Sequence, residues 1–500
     1  MRNEVLRLEK VTLREQGVTL LDNLNLHIFE GEIMGLVPID THGLTALCDL
    51  LRENLPLHYG YVFYREKLIN TWRSPQPHYN RISVIQAKSC LVDGLSVADN
   101  IFVLRPGFRG RLMRPAAFRR QLEPFMRSIG ISIDADARVE DLSVFERFVV
   151  ELLKAVVAGS RLIVLNEIST LINEAELGKL HAILRHYAAE GISFLYICFH
   201  FEELLRISDR TALMMQGRVV KLLEGSEMIP QSLLPYSAAY EQMVASQLAR
   251  GAHQIGSEVF SACLPEAADG GLRFSVRAGE CLVLQDLDNH FIDGFLGALA
   301  GARPPEGTHL RLRGRPLRRP GRDRRLAVIQ DQPGRTMVFP GLNYLENLCF
   351  TMDHRIRSLW RSGRVKRGLR RAYAEWLGPD LLDRRVEELT ETERCELVYR
   401  RVLLQRPDVV FCVQPFRMAD VAMRMSIWRL LEELLDRGVA VVILAVNLAD
   451  SLSLADRLIR VRRGRPQEAF DRVHFNDLPA DAPWRSLYRS VSETQKEELP

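Results

Sequence analysis

Short apolar runs alternate with amphipathic stretches along most of the chain. Apolar runs that predict buried strands occupy residues 32–37, 162–165 and 193–198. Between them, residues 44–51 and 174–189 have the apolar spacing of helices. Strands that alternate with helices predict an α/β fold with a mainly parallel sheet covered on both faces.

The pattern occurs twice. Four ordered landmarks return 247 or 248 residues later. They are residues 95–100 and 342–347, Leu142-Ser143 and Leu389-Thr390, Asp209-Arg210 and Asp456-Arg457, and Gly31-Glu32 and Gly279-Glu280. The strand runs also return, at 281–284, 409–413 and 440–444. Repeated landmarks at a nearly constant spacing indicate a tandem duplication.

The repeat predicts the domain organisation. Domain 1 covers residues 1–235 and contains a polar helical subdomain at about 100–155. A linker at 236–254 leads to domain 2, which covers 255–467 and has its helical subdomain at about 347–400. A polar tail, 468–500, follows.

The composition excludes several classes of protein. A chain with 47% hydrophobic and 26% charged residues is neither wholly disordered nor collagen-like. No apolar run approaches the ~20 residues that span a bilayer. The N-terminus lacks the apolar segment of a secretory signal, so we expect a cytoplasmic protein. None of the eight cysteines forms a C-x-x-C pair, and we interpret most of them as small buried hydrophobes.

The charge is unevenly distributed. Residues 1–250 carry 28 basic and 29 acidic residues, whereas 251–500 carry 39 and 34, so the net charges are −1 and +5. Nine arginines lie in 303–325, and eight basic residues without an acid lie in 355–371. Such runs are found on surfaces that bind nucleic acid or anionic lipid. No known nucleic-acid-binding motif accompanies them, so a solvated face is the favoured interpretation.

Several segments carry a resemblance to a known family. They include LDNLNLHIFEGEIMGL, DLSVFERFVVELLKAVVAGSRLIVLNEIST and RPDVVFCVQPFRMADVAM. Both copies resemble the ATP-binding domain of ABC transporters, and the tandem order is similar to the fused ATP-binding subunits of bacterial ribose and galactose importers. The resemblance implies two P-loop-type ABC ATPase domains, each a mainly parallel sheet core with an inserted helical subdomain. It also implies ATP and Mg²⁺ as cofactors and transmembrane permease subunits as partners.

The phosphate loops depart from the family's pattern. In copy one, the equivalent stretch 38–45 keeps Gly43 and Thr45, but Leu44 stands at the lysine position and Asp40 adds a negative charge. In copy two, residues 286–294 contain three aspartates and no lysine. We interpret the second stretch as an ordinary strand–turn–helix connection with an Asp or Asn cap. ATP and Mg²⁺ are therefore expected to bind weakly or not at all.

Other positions of the family's site are partly kept. By resemblance, Glu167 is the candidate residual base. The vestigial nucleotide-binding residues are Gly43, Thr45, Gln86 and Ser143. The candidate ligands of a weak Mg²⁺ site are Thr45, Gln86 and Asn166. In the family, the phosphate loop of one copy faces the signature of the other.

The switch and signature positions are altered. Phe199 stands at the family's switch histidine, and His200 is expected to be a surface residue one place later. Phe145 replaces the signature glycine of copy one. Copy two has carboxylates at the start of this helix, where they suit an N-cap and repel phosphate.

The residues favour a degenerate pseudo-ATPase of the sugar-importer class. It would keep a scaffold or regulatory role with permease or membrane-sensor partners, at the inner face of the cell membrane, and meet a substrate-binding protein only indirectly. The alternative is a hydrolysing energy-coupling subunit of a carbohydrate importer that uses one residual site. A nucleic-acid-associated regulator is the weaker alternative, and nucleic acid is not the expected partner.

Overall fold

A computed structural model gives the fold as two compact units, Met1–Ala238 and Ala239–Ala480. The structure describes residues 3–15, 17–73, 82–86, 89–103, 115–233, 235–236, 242, 253–264, 271–287, 291–302, 307–351, 359–448, 450–462 and 464–478. Most of the predicted linker 236–254, and the tail from 479 onward, lie outside these residues. Within the described part, no helix is both long and apolar enough to cross a membrane.

Unit 1 contains ten strands and five α-helices in its described part. The strands are β1 (Glu4–Glu15), β2 (Val18–Phe29), β3 (Ile33–Pro38), β4 (Tyr59–Tyr64), β5 (Lys67–Thr71), β6 (Ile82–Gln86), β7 (Leu162–Asn166), β8 (Ser193–Ile197), β9 (Arg210–Met215) and β10 (Arg218–Glu224). The helices are α1 (Leu44–Arg52), α2 (Pro115–Ser128), α3 (Val144–Val157), α4 (Glu174–Ala189) and α5 (Phe201–Ile207). The strands and helices predicted from the apolar runs are therefore confirmed, within one or two residues at each end.

Two sheets build unit 1. The six-stranded sheet has the order β10-β9-β3-β8-β7-β6 and is parallel except at its β10 edge. The second sheet, β2-β1-β4-β5, is antiparallel, and the sequence analysis did not predict it. Apolar residues of both sheets and of α1 form one core. The register of β1 against β2 shifts several times, which interrupts the alternation that would have indicated these strands.

Unit 2 repeats this architecture. Its strands are β11 (Glu258–Leu264), β12 (Leu272–Arg277), β13 (Cys281–Asp286), β14 (His309–Leu312), β15 (Arg315–Pro316), β16 (Leu326–Ile329), β17 (Val409–Val413), β18 (Ala440–Ala445), β19 (Arg457–Arg462) and β20 (Arg465–Asp471). Its helices are α6 (Phe291–Ala300), α7 (Pro333–Thr336), α8 (Tyr344–Cys349), α9 (Leu359–Leu377), α10 (Pro379–Asp383), α11 (Glu391–Gln405), α12 (Val421–Asp436) and α13 (Ser451–Leu454). The sheet orders are β16-β17-β18-β13-β19-β20 and β12-β11-β14-β15.

Two of the repeated landmarks meet each other in space. In unit 1, Arg210 donates from Nε to Glu32 Oε1 at 2.6 Å. In unit 2, Arg457 donates in the same way to Glu280 at 2.9 Å. Both carboxylates are nearly inaccessible to solvent, so removing either arginine would leave an uncompensated buried charge. This requirement explains why Gly-Glu and Asp-Arg recur together.

A buried asparagine explains a third landmark. The Asn100 side chain accepts a hydrogen bond from the Val92 backbone N–H at 2.9 Å and donates back to the Val92 carbonyl at 3.1 Å. Asn347 makes the same pair of bonds with Phe339 in unit 2. Both amides are fully buried, and each holds a turn that leads into the helical subdomain.

The helical subdomain of unit 2 has its own small core. Side chains of α8, α10 and α11 form it, and Leu369, Tyr373 and Leu377 of α9 pack against it. Six of the eight cysteines are buried, as predicted, whereas Cys90 is exposed and Cys263 is half-buried.

His253 joins three parts of unit 2. Its Nδ1 lies 2.8 Å from Asp456 Oδ2, and its Nε2 lies 3.2 Å from Glu432 Oε1 on α12. Asp456 also accepts the N–H of Cys281 at the start of β13, at 2.9 Å. Burial alone would lower the pKa of His253, but its hydrogen bonds to Asp456 and Glu432 outweigh it and raise the pKa to about 9.

This raised pKa predicts that unit 2 loses stability at alkaline pH. A folded-state pKa of about 9, above the ordinary value of 6.5, stabilises the fold fully below pH 6.5, and the gain disappears as the pH rises through 9. We expect a loss of roughly 1–2 kcal/mol, after discounting for solvent screening of the imidazole. Calorimetric unfolding of the wild type and of His253→Gln, below and above this window, would measure it. The same pH dependence in both proteins would contradict the assignment.

Candidate functional site

Residues 39–43 connect β3 to α1 at the position of the predicted phosphate loop. Gly43 is the N-cap of α1 and has a φ of 78°. A Cβ atom there would lie 2.2 Å from the Leu20 carbonyl oxygen. Any side chain is therefore excluded by the backbone of β2, so packing alone requires this glycine.

Asp40 turns its carboxylate onto the N–H groups around this loop. Oδ1 accepts from the His42 N–H at 3.0 Å, and Oδ2 accepts from the Gln216 N–H at 2.9 Å. His42 is itself held, with Nε2 2.7 Å from the Thr19 carbonyl oxygen. A phosphate would meet a carboxylate at these donors, and two like charges ~4 Å apart repel by about 4 kcal/mol at intermediate dielectric.

The lysine position is part of the hydrophobic core. The Leu44 side chain is 6% exposed and belongs to the cluster that joins both sheets of unit 1. Thr45, the next residue, is exposed. The hydroxyl predicted to hold Mg²⁺ is thus accessible, whereas the position that would neutralise phosphate is apolar and faces inward.

A polar cavity of about 680 Å³ opens beside this loop. Its lining residues are Arg14, Thr19, Asp22, Asp40, His42, Gln216 and Arg218. Arg218 and Asp22 form an ion pair across it. With two arginines and two aspartates, the lining has no net formal charge to attract a polyphosphate.

In unit 2 the equivalent helix is capped by a carboxylate from the chain. Asp286 ends β13 and is fully buried. Its Oδ2 accepts the N–H of Phe291 at 2.7 Å and that of Ile292 at 3.0 Å. These are the first two N–H groups of α6, where an anion is bound most favourably. The predicted Asp cap is confirmed, although Asp288 lies outside the described residues.

The ends of β6 and β7 bring together two candidate ligands. Gln86 and Asn166 are register partners in this parallel pair. The Asn166 Oδ1 atom is buried and has no hydrogen-bond partner among the described residues. An amide oxygen offers no charge, so this pair is a weak ligand set for Mg²⁺.

Glu167, the candidate base, has a structural task. It has a φ of 57° and is 1% exposed. Its Oε1 accepts the N–H of Phe199 at 2.8 Å, which ties the end of β7 to the segment after β8. In unit 2, Gln414 has the same left-handed backbone, with a φ of 42°. The geometry of this turn is therefore kept in both units while the carboxylate is kept only in one.

His200 is buried, so the expectation of a surface histidine is wrong. The expectation assumed that side chains continue to alternate between the two faces of the sheet up to His200. The strand β8 ends at Ile197, so this alternation does not reach His200. The helix α5 begins directly after His200, at Phe201, and no exposed loop separates them. His200 donates its backbone N–H to Cys198 Sγ at 3.3 Å.

A buried polar cluster lies beneath this segment and was not predicted. The Tyr196 hydroxyl donates to Glu203, and Cys198 Sγ lies 3.4 Å from Glu203 Oε2. His181 Nε2 is 3.7 Å from Glu203 Oε1, an ion-pair distance. Burial would raise the pKa of Glu203, but His181 and Tyr196 together lower it. Burial raises the pKa of Cys198 well above its usual value, which makes this thiol unreactive.

The signature positions form helix caps. Ser143 Oγ accepts the N–H of Glu146 at 3.2 Å, and the Glu146 side chain returns to the Ser143 N–H. Thr390 and Glu393 repeat this capping box in unit 2. Phe145, at the former glycine, is 6% exposed and packs inward. The interpretation of the copy-two residues as an N-cap is confirmed.

In unit 2, an ion pair lies at the ends of β16 and β17, the strands that correspond to β6 and β7. Asp331, after β16, pairs with Arg417, which follows β17. Burial raises the pKa of Asp331, and the Arg417 guanidinium partly offsets this effect. The Asp331 carboxylate is thus paired by the chain itself.

These arrangements do not fit Mg²⁺ and a nucleotide phosphate. In both units, carboxylates of the chain accept loop N–H groups, and no lysine or arginine replaces the missing cation at the loop. The ligands predicted for Mg²⁺ in unit 1, Thr45, Gln86 and Asn166, all offer neutral oxygens, and Glu167 Oε1 accepts the backbone N–H of Phe199. Magnesium sites normally combine carboxylates with substrate phosphates.

Comparisons with known proteins find similar sequences. The family model for ABC transporters matches residues 21–170. The two units of this chain repeat one α/β architecture. It is 26% identical to a ribose import ATP-binding protein of Rubrobacter xylanophilus, over 95% of this chain and 97% of that protein. It is 25% identical to a putative ribose/galactose/methyl galactoside import ATP-binding protein of Hahella chejuensis, over 95% of both. A solved ATP-binding cassette of an ABC transporter covers 48% of this chain at 17% identity, with a TM-score of 0.42.

The Asp286 cap predicts a measurable local effect in unit 2. Asp286→Ala removes the acceptor of two buried N–H groups, which costs about 1–2 kcal/mol. We expect faster amide exchange in α6, measured by hydrogen-exchange mass spectrometry. Asp293→Ala, an exposed acid in the first turn of the same helix, is the matched control and should change exchange little. Equal effects of both substitutions would contradict the capping role.

Proposed function

We propose that this protein is a pseudo-ATPase of the sugar-importer class of ABC ATP-binding subunits. It keeps the tandem scaffold, binds a transmembrane permease or a membrane sensor at the inner face of the cell membrane, and hydrolyses ATP slowly or not at all. Its relatives of similar length are named as ribose or ribose/galactose import ATP-binding proteins.

One observation carries the proposal: the Asp286 carboxylate caps the two N–H groups that begin α6. A helix start that binds phosphate needs those donors, and a buried anion supplied by the chain occupies them permanently. Asp40 takes a similar role beside α1, where Leu44 is part of the core. The first two N–H groups of α6 therefore have an acceptor without nucleotide, and the Asp40 carboxylate adds negative charge beside the loop of unit 1.

The retained framework supports a maintained binding role. The Glu–Arg pairs, the buried asparagines and the capping boxes are present in both units. Each is a polar device whose loss would cost stability. The residues at the phosphate-contacting positions depart from the family's pattern, whereas these polar interactions are present in both units. This combination is expected if the surface of the folded protein binds a partner.

A residual hydrolysing site is the second candidate, because one observation favours it. The buried Asn166 Oδ1 has no hydrogen-bond partner among the described residues and lies on the strand paired with Gln86. Thr45 is exposed. A bound cation would satisfy that oxygen, and this alternative makes ATP hydrolysis depend on Glu167.

Calorimetry with Mg-ATP and a turnover assay separate the two candidates. For the pseudo-ATPase, we expect no micromolar binding and no turnover above background in the wild type or in Glu167→Gln. Glutamine keeps an oxygen for the Phe199 N–H, so the fold should survive. Micromolar binding, with turnover that Glu167→Gln abolishes, would overturn the proposal. Co-purification with permease subunits tests the scaffold role separately.

Restoring the lysine alone should not restore ATP binding. Leu44→Lys removes a buried leucine from the core, so we expect a loss of about 2–4 kcal/mol and no gain in ATP affinity. Asp40→Gly/Leu44→Lys also removes the carboxylate from the loop. A gain in affinity only in the double variant would identify the aspartate as the dominant barrier. A gain with Leu44→Lys alone would show that the missing lysine is decisive.

A further inference from the structure

The helix α9 of unit 2 presents a basic face that the proposed function does not use. Arg364, Arg367 and Arg371 are spaced three and four residues apart, so they share one side of the helix. All three are exposed. At 1.5 Å per residue, they form a row of about 10 Å. None of them makes an ion pair with a carboxylate in the described part of the chain.

The opposite side of α9 is already buried. Leu369, Tyr373 and Leu377 pack against the small core of the helical subdomain. The helix is therefore fixed along its length with its arginines turned outward. An electrostatic contact is available to it, whereas insertion of its apolar side into another surface is not.

Three arginines in the helical subdomain of unit 1 form ion pairs with nearby carboxylates. Arg119 pairs with Asp136 at 2.8 Å, Arg127 with Glu123 at 2.5 Å, and Arg138 with Glu140 at 3.1 Å. These side chains have their charge balanced locally. The Arg364, Arg367 and Arg371 row differs from these three arginines, although Arg120 of α2 is also exposed and bonds only to the Ala116 carbonyl among the described residues. The row accounts for part of the +5 net charge of residues 251–500.

We propose that the Arg364, Arg367 and Arg371 row binds the phosphate headgroups of anionic lipid at the membrane surface. Guanidinium groups pair with phosphate in two parallel hydrogen bonds, and a straight row on a fixed helix matches a flat array of headgroups. The inference rests on the proposed function in one respect, which is that the subunit works at the inner face of the membrane.

The chemistry of this face favours lipid over nucleic acid. Among the exposed side chains of α9 that the structure describes, residues 363–372, none is aromatic and none is Asn or Gln that could bind a base edge, while the side chains of Trp360 and Trp376 lie outside the described residues. These exposed side chains are basic or small. A surface of this kind recognises the density of phosphate and not the sequence of a polymer.

Vesicle co-sedimentation of the full chain tests the inference without a permease. We expect binding to vesicles of phosphatidylglycerol mixed with phosphatidylcholine, weak binding to phosphatidylcholine alone, and a steep loss of binding with added salt. R364S/R367S/R371S should weaken binding on the order of 100-fold, at about 1 kcal/mol per arginine. The control R119S/R127S/R138S, with the same change of net charge, should stay within about twofold of wild type.

Several outcomes would overturn the inference. They are equal binding by the two triple variants, equal binding to neutral vesicles, binding that is insensitive to salt, or binding of duplex DNA but not of vesicles. The substituted side chains are exposed, so both variants should keep the wild-type circular dichroism spectrum. Because the vesicles hold no permease, failure to co-purify a permease would count against the proposed function and leave the vesicle result standing.

Discussion

The N–H groups at the start of a helix need acceptors, and in unit 2 the chain itself supplies one at the strand-to-helix connection. A domain that binds polyphosphate leaves such groups for its ligand. Here Asp286 accepts the first two N–H groups of α6, and Asp40 accepts N–H groups beside α1. The start of α6 is therefore satisfied by the chain itself, whereas α1 begins after Gly43 without a side-chain cap.

Residues that a sequence comparison would count as remnants of a site have structural reasons to persist. Gly43 is required by its approach to the Leu20 carbonyl, and Ser143 caps α3. Glu167 fixes the backbone at Phe199. Their presence is therefore weak evidence for nucleotide chemistry. For Asn166 the described residues show no such bond, because its buried Oδ1 atom has no hydrogen-bond partner among them.

The sequence predicted the duplication, the buried strands of both parallel sheets and the caps, because each has a local signature in residue order. It did not predict the antiparallel sheets, whose alternation is broken by shifts of register such as those between β1 and β2. It also could not find the Tyr196–Glu203 cluster or the burial of His200, since those depend on which elements pack together. The Asp286 cap was within reach because a strand, an aspartate and a helix follow one another in the chain.

The burial of Leu44 bears on how such a chain can change over time. Once the former lysine position supplies apolar contacts to the core that joins two sheets, a single reversion to lysine removes those contacts and meets the Asp40 carboxylate nearby. A return to lysine at position 44 then requires further substitutions in the core and at Asp40, because the effects of neighbouring substitutions are coupled. Under the proposed function, the packing of the fold thereby entrenches the change at this position.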